Sequence, residues 1–228
     1  MNVSACPTAS KPHFDILDGL RGVAAVVVVF FHLLEPHAKG VHSDQIINHE
    51  YLAVEFFFAL SGFVMGYAYD DRWSRGLRLR DFAARRLIRL HPMVVLGSVI
   101  GAAAFFLQGS DVFPAWSSAT VWGVLGCMLL GCTLLPLPVQ WDIRGWSEMH
   151  PLNGPAWSLY YEYIANIAYA LVLRRLGRGA LAVLAALALV PLLAVPRLGG
   201  EALWVNGLYE ALCILLAFPL LVAAGSGG

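Results

Sequence analysis

A bundle of about seven membrane-spanning α-helices is the all-α fold class that this sequence predicts. Two observations carry the prediction. Of 228 residues, 59% are hydrophobic and only 13% charged, with a mean hydropathy of +0.68; a soluble domain carries about twice that charge. The apolar residues also fall into separate runs of roughly 20, the length that crosses a bilayer as a helix. Helices are expected because lipid cannot satisfy open backbone groups.

The formal net charge is zero, and no run of charge suggests a nucleic-acid partner. Cys6, Cys127, Cys132 and Cys213 match no zinc or redox spacing, so no metal site is expected. Residues 1–13 lack the apolar core of a signal peptide and read as a short disordered tail. Residues 14–228 read as one membrane-embedded domain.

Span 1 is placed at residues 16–34. It carries Asp18, Arg21 and His32 inside an apolar helix. Eleven residues separate Arg21 from His32, three helical turns plus about 20°, so the two share a face ~16 Å apart along the axis. Asp18 lies about 40° from His32 in the same projection. A polar stripe is costly in lipid and should face protein or a cavity. Taken singly, Arg21 reads equally well as an interfacial anchor and His32 as a helix-end residue.

Span 2, at 51–69, holds Glu55 about one turn inside its first end, a depth expected to match His32. A carboxylate beside an imidazole holds its tautomer and stabilises the imidazolium, a general-base arrangement. A purely structural His–Glu pair is the alternative. Ser61 and Gly62 follow, suited to close helix packing or to backbone access by a ligand.

The segment joining spans 2 and 3 holds Arg72, Arg75, Arg78, Arg80, Arg85, Arg86 and Arg89, seven of the fifteen basic residues. Such a cluster belongs on the cytoplasmic side, which makes the N-terminus cytoplasmic too. Arg86 and Arg89, three apart, are expected on one helix face at the mouth of span 3 (90–107), where guanidinium groups bind phosphates well. Pro92 reads as the entry to that span. The competing role for these arginines is topological charge alone.

Span 4 is placed at 116–135, span 5 at 157–173, span 6 at 179–195 with Pro191 interrupting it, and span 7 at 203–223. This count puts Arg174, Arg175 and Arg178 on the far side, against the positive-inside rule. Either one crossing between Pro92 and Pro155 is miscounted or the bias is overridden. Span 5 opens on Pro155, which suits a helix start. Ser158 and Glu162 share one of its faces, with Trp157 and Tyr161 beside them. Those aromatics could stack on a sugar; an interfacial belt with Glu162 pairing an arginine is the other reading. His37, His42 and His49 sit in a polar loop with no coordination geometry. Asp142, Arg144, Glu148 and His150 form a polar connector with no readable role.

Four stretches occur in order: LDGLRGVAAVVVVFFH, VEFFFALSGF, RRLIRLHP and WSLYYEYIANIAY. Together they resemble the acyltransferase 3 family of integral-membrane acyltransferases. Arg21 and His32 match the first motif, Glu55 with Ser61-Gly62-Phe63 the second, Arg86 and Arg89 the third, and Trp157, Ser158, Leu159 and Glu162 the fourth. The resemblance implies O-acylation of sugars on lipopolysaccharide, peptidoglycan, exopolysaccharides, antibiotics or signalling oligosaccharides. It also implies a bacterial inner-membrane protein lacking some C-terminal helices of the family.

On that basis the expected activity moves an acyl group, acetyl first, from acyl-coenzyme A to a carbohydrate or glycolipid hydroxyl. No permanently bound cofactor is expected. His32 and Glu55 would be catalytic, and Arg21, Arg86 and Arg89 would hold the donor. Asp18, Ser61, Trp157, Ser158 and Glu162 would support the substrates. The rival is a transporter, since intramembrane charges also mark substrate paths. It fits less well because the charges cluster near the helix ends and no internal repeat is visible. An inactive remnant of a longer enzyme is the third reading.

Overall fold

The computed structural model describes residues 12–34, 37, 46–47, 51–108, 118–145 and 148–194. Among the described residues all regular structure is helical: α1 (Asp15–Leu34), α2 (Tyr51–Ser74), α3 (Leu79–Leu107), α4 (Val121–Cys132), α5 (Ala156–Leu171) and α6 (Arg178–Ala194), with two short 3₁₀ turns. Three are long and apolar enough to cross a membrane, over Asp15–Leu34, Leu52–Ser74 and Leu79–Leu107. The runs expected as spans 4, 5 and 6 fold as shorter helices of 12, 16 and 17 residues. The expected span 7 lies outside the described residues.

α3 begins at Leu79, well before the expected residue 90. Its first three turns, LRDFAARRLIRL, are rich in good helix formers. Phe82, Arg86, Leu90, Val94, Ser98, Ala102 and Phe105 form one unbroken buried stripe, a single core-facing register from end to end. Pro92 sits inside this helix rather than at its entry. The arginine segment is therefore mostly helical, and the link between α2 and α3 is a four-residue turn, 75–78. Gly76 (φ 88°) supplies its left-handed position.

Side-chain pairs fix how the helices run. α5 lies parallel to α2: Ser61 meets Glu162, Asp70 meets Tyr169, and Arg174 lies 4.1 Å over the Trp73 ring. It lies antiparallel to α3, where Arg86 meets Glu162 and the rings of Phe82 and Tyr169 are 6.0 Å apart. Phe58, Met65, Phe82, Ala165, Tyr169 and Leu181 form the core between them.

α4 covers the other half of α3. Val124 and Cys127 cluster with Ala102 and Phe105, and Gly131 faces Ser98. α4 ends on Thr133 and Leu134, the latter at φ 62°. Leu134 packs with Val94 and with Ala156 at the start of α5. α4 and α5 thus follow one another along α3 in the same direction, joined by a connector that docks on its glycines. A Cβ on Gly101 would stand 1.7 Å from the Leu152 carbonyl oxygen, and one on Gly97 2.4 Å from Asn153 Nδ2. Gly97 and Gly101 form the small-xxx-small spacing that usually brings two helices together; here it admits the connector backbone.

This arrangement removes the charge conflict. Because α5 runs parallel to α2, Arg174 lies beside Trp73, at the same end as the 75–78 turn.

α1 runs antiparallel to α2. Tyr67 Oη donates to the Pro12 carbonyl at 3.1 Å, and the Phe14 ring lies edge-on to Phe63 at 5.5 Å and Tyr67 at 5.2 Å. The start of α1 is therefore on the arginine-rich side.

Candidate active site

Three helices converge on one carboxylate. Glu162 Oε1 accepts from Arg86 Nη2 at 2.6 Å and from Ser61 Oγ at 3.0 Å. Arg86 is 3% exposed and sits on the buried stripe of α3. Removing a guanidinium from water is costly unless it is paired and hydrogen-bonded; Glu162 supplies both. Ser61 from α2, Arg86 from α3 and Glu162 from α5 thus make a single node. Pairing of Glu162 with an arginine was one of the two readings of that residue, and it is the observed one.

Arg89 does not share this environment. Three residues on, it falls about 60° off the stripe and is exposed, as is Arg85. The common face expected for Arg86 and Arg89 is therefore divided: Arg86 turns into the bundle and Arg89 turns out of it. A spacing of three is consistent with one helix face, yet 60° is enough to straddle the edge of a buried stripe.

The stripe on α1 is realised in part. Arg21 Nη1 binds Asp18 Oδ1 at 2.6 Å, with both side chains substantially exposed. His13 joins them, with Nδ1 2.7 Å from Asp15 Oδ1 and Nε2 3.0 Å from Asp18 Oδ2. The hydrogen bond to Asp15 and the negative charges of Asp18 and Asp15 raise the His13 pKa above the ordinary imidazole value. The acidic pair at the first turn of α1 also complements the helix dipole.

His32 is exposed on the last turn of α1, its ring edge-on to Phe31 at 5.1 Å. Glu55 is half-buried on α2. No hydrogen bond or ion pair joins the two among the described residues. The contacts of Pro12 and Phe14 with Phe63 and Tyr67 set a register in which residue 55 is level with about residue 24. His32 then lies ~12 Å further along the axis. Along that register Glu55 falls closer to the level of Arg21 than to that of His32.

Trp157 packs on the core, tilted against Phe58 at 6.4 Å and edge-on to Tyr161 at 6.2 Å. Ser158 Oγ donates to the Pro155 carbonyl at 2.8 Å, a bond that secures the start of α5. Two further polar groups belong to the node's surroundings. Asn166, one turn after Glu162, is 2% exposed with both amide atoms unpartnered among the described residues. Tyr169 donates to Asp70 at 2.5 Å. Asn166 was legible as a four-residue step from Glu162; nothing in the sequence pointed to the Asp70–Tyr169 bond. No group of three or more His, Cys, Asp or Glu side chains suited to a metal occurs among the described residues.

Comparison with known proteins identifies the motif set. A family model described as "Acyltransferase domain" matches residues 14–224. "Protein 2 in picA locus" of Rhizobium radiobacter is 32% identical over 163 residues, covering 69% of this chain and 81% of that protein. "Acyltransferase MdmB" of Streptomyces mycarofaciens is 29% identical over 164 residues, covering 68% of this chain and 38% of that one. "Putative O-acetyltransferase SACOL0978" of Staphylococcus aureus is 32% identical over 101 residues, 42% of this chain and 15% of that protein. The chain thus spans well under half the length of the latter two relatives. No solved structure matches significantly. A family match across nearly the whole domain, on a helical bundle whose second, third and fourth motifs meet at one carboxylate, places the chain in the acyltransferase 3 family, enzymes of the O-acyltransferase type.

Proposed function

We propose that the protein transfers an acyl group, acetyl in the first instance, from acyl-coenzyme A to a hydroxyl of a carbohydrate or glycolipid. The observation that carries this reading is the convergence of Ser61, Arg86 and Glu162 from three separate motifs on one point. A buried charged node of this kind rigidifies the helices that carry a site. The proposed setting is a multi-pass protein of a bacterial inner membrane whose seven apolar runs make six crossings in a domain over 14–228, with residues 1–13 as a tail. In it, α4 and α5 together make one interrupted crossing and the N-terminus is cytoplasmic. That orientation puts both arginine groups, 72–89 and 174–178, on the side where coenzyme A is found.

The donor's phosphates would meet Arg89, which is exposed at that end. Arg86, held by Glu162, would line the entry and add its field. Arg21, oriented by Asp18, would mark the path of the pantetheine arm along α1 toward His32, a distance of ~16 Å. There His32 would take the proton from the acceptor hydroxyl. The freed oxygen attacks the thioester carbonyl, the carbon–sulfur bond breaks, and coenzyme A leaves as the thiol once protonated. The alternative, in which the imidazole briefly carries the acyl group, uses the same residue. Glu55 would supply negative charge along the channel, and Trp157 with Tyr161 an aromatic wall for the acceptor.

The test is label transfer from radiolabelled acetyl-coenzyme A to crude envelope glycans by the purified protein in lipid. Transfer by the unaltered chain that disappears in His32→Ala supports the reading. Transfer that survives in His32→Ala removes His32 from the chemistry. Coenzyme A affinity measured on Arg89→Ala reads the donor site separately, and unchanged affinity would return Arg89 to a purely topological role.

A further inference from the structure

The connector between α4 and α5 brings a histidine into the interior. His150 is 2% exposed, and neither ring nitrogen has a hydrogen-bond partner among the described residues. It is tied to neither the Glu162 node nor the α1 stripe. Beside it lies a cavity of about 10 Å³ whose wall includes Ser98, Cys127, Gly131, His150, Asn153 and Ala156. That is about the space one water needs. Ser98, 2% exposed, comes from α3, and Asn153 from the turn that opens α5. The Tyr160 ring lies edge-on to the imidazole at 6.4 Å.

The chemistry of the wall narrows the occupant. The residues lining the cavity supply one imidazole, one hydroxyl, one amide and one thiol, with no cation among them. An anion therefore has no countercharge there. Glu148 Oε1 also comes within 3.3 Å of where a Cβ on Gly154 would sit, so a carboxylate already stands at the start of α5. The metal-ligand groupings that would hold a cation are absent among the described residues. A neutral imidazole offers one donor and one acceptor. A hydroxyl can serve either nitrogen, because it both donates and accepts.

We propose that this cavity binds one neutral hydroxyl group at His150, with Ser98 and Asn153 on its wall. At about 10 Å³ the cavity admits the hydroxyl of a water and not that of a sugar. The water completes the hydrogen bonding of a connector that is held against α3 by Gly97 and Gly101. The site lies in the gap where α4 stops and α5 starts. A break of this kind, inside what is proposed to be one crossing, is a usual place for a polar ligand in a membrane protein.

The experiment is ¹⁵N NMR of the full chain in lipid nanodiscs with labelled histidine, His150 being assigned by difference from His150→Gln. An imidazole N–H or N···H–O correlation to water protons, unchanged on adding methyl glucoside, supports the proposal and assigns the hydroxyl to water. A correlation that passes to the sugar's protons overturns it, because a site of one water's volume has no room for the sugar. An imidazole correlated with neither, or bonded to a backbone carbonyl, overturns it. Thermal unfolding gives an independent readout. His150→Gln, which keeps a donor and an acceptor, should unfold close to the unaltered protein, and His150→Phe several degrees lower. A His150→Phe protein at least as stable as the original would mean that the cavity is ordinary apolar packing, and would also overturn the proposal.

Discussion

The node around Glu162 and the stripe on α1 are built from the same kinds of side chain in opposite surroundings. At the node, Arg86 is buried and its carboxylate partner arrives from another helix 76 positions away. On α1, Arg21 is partnered by Asp18 three positions away, and both keep a substantial part of their side chains exposed. Only 11% of the apolar window of α1 is buried, against 39% of that of α2. The difference separates two jobs. The node is placed to hold helices together, and its charges are too enclosed to exchange partners freely. The stripe is held by local contacts and stays accessible, as its proposed role along the donor's path requires.

That contrast can be broken by substitution. The largest expected effect is catalytic: His32→Ala should lower acyl transfer by about 10²–10⁴-fold, as loss of a general base does. Its unfolding free energy should stay within about 0.5 kcal/mol, because the side chain is exposed. A large loss of stability there would make His32 a structural residue and erase the contrast. Glu162→Ala should behave the other way. It leaves Arg86 buried and uncompensated, at a cost of about 3–5 kcal/mol, read as a lowered denaturation midpoint in detergent. Arg21→Ala, matched on α1, should move that midpoint by less than about 1 kcal/mol, as exposed pairs do.

Tyr169→Phe should cost about 1.5–3 kcal/mol, the range for a hydrogen bond to a charged group. It tests whether the parallel α2–α5 seam is held by Asp70 as well as by Glu162. The smallest effect concerns pH. The His13 pKa is raised in the folded chain by Asp15 and Asp18. The imidazolium therefore contributes stability that is complete below the ordinary histidine pKa of about 6.5. That contribution disappears as pH rises through the raised value. Amide exchange at the first turn of α1 should accelerate over that window, and His13→Ala should abolish the change.

Much of the site was legible residue by residue. Ser61 stands out beside Gly62 as a small polar residue in a span, Arg86 by its spacing from Arg89, and Glu162 because an ionisable group inside an apolar helix needs a reason to be there. What was not legible was who meets whom. Arg86 was grouped with Arg89 because three-residue spacing is visible in a sequence, whereas Glu162 lies on another helix. Glu55 was matched to His32 by counting from helix ends, and the Phe14 contacts with Phe63 and Tyr67 set a different register. His150 looked like one more connector charge until burial took it out of water.

By itself, then, the sequence determined the helical class, the polar stripe of α1, the motif residues and the presence of two arginine groups. These follow from composition and from the 3.6-residue period, both of which are local. The tertiary structure decided that α4 and α5 lie end to end along α3, that the two arginine groups share one end, and that Arg86 belongs to Glu162. Those outcomes depend on which stripes find complementary partners. Gly97 and Gly101 let a backbone approach that any side chain would have blocked, and periodicity reports a face without naming what will cover it.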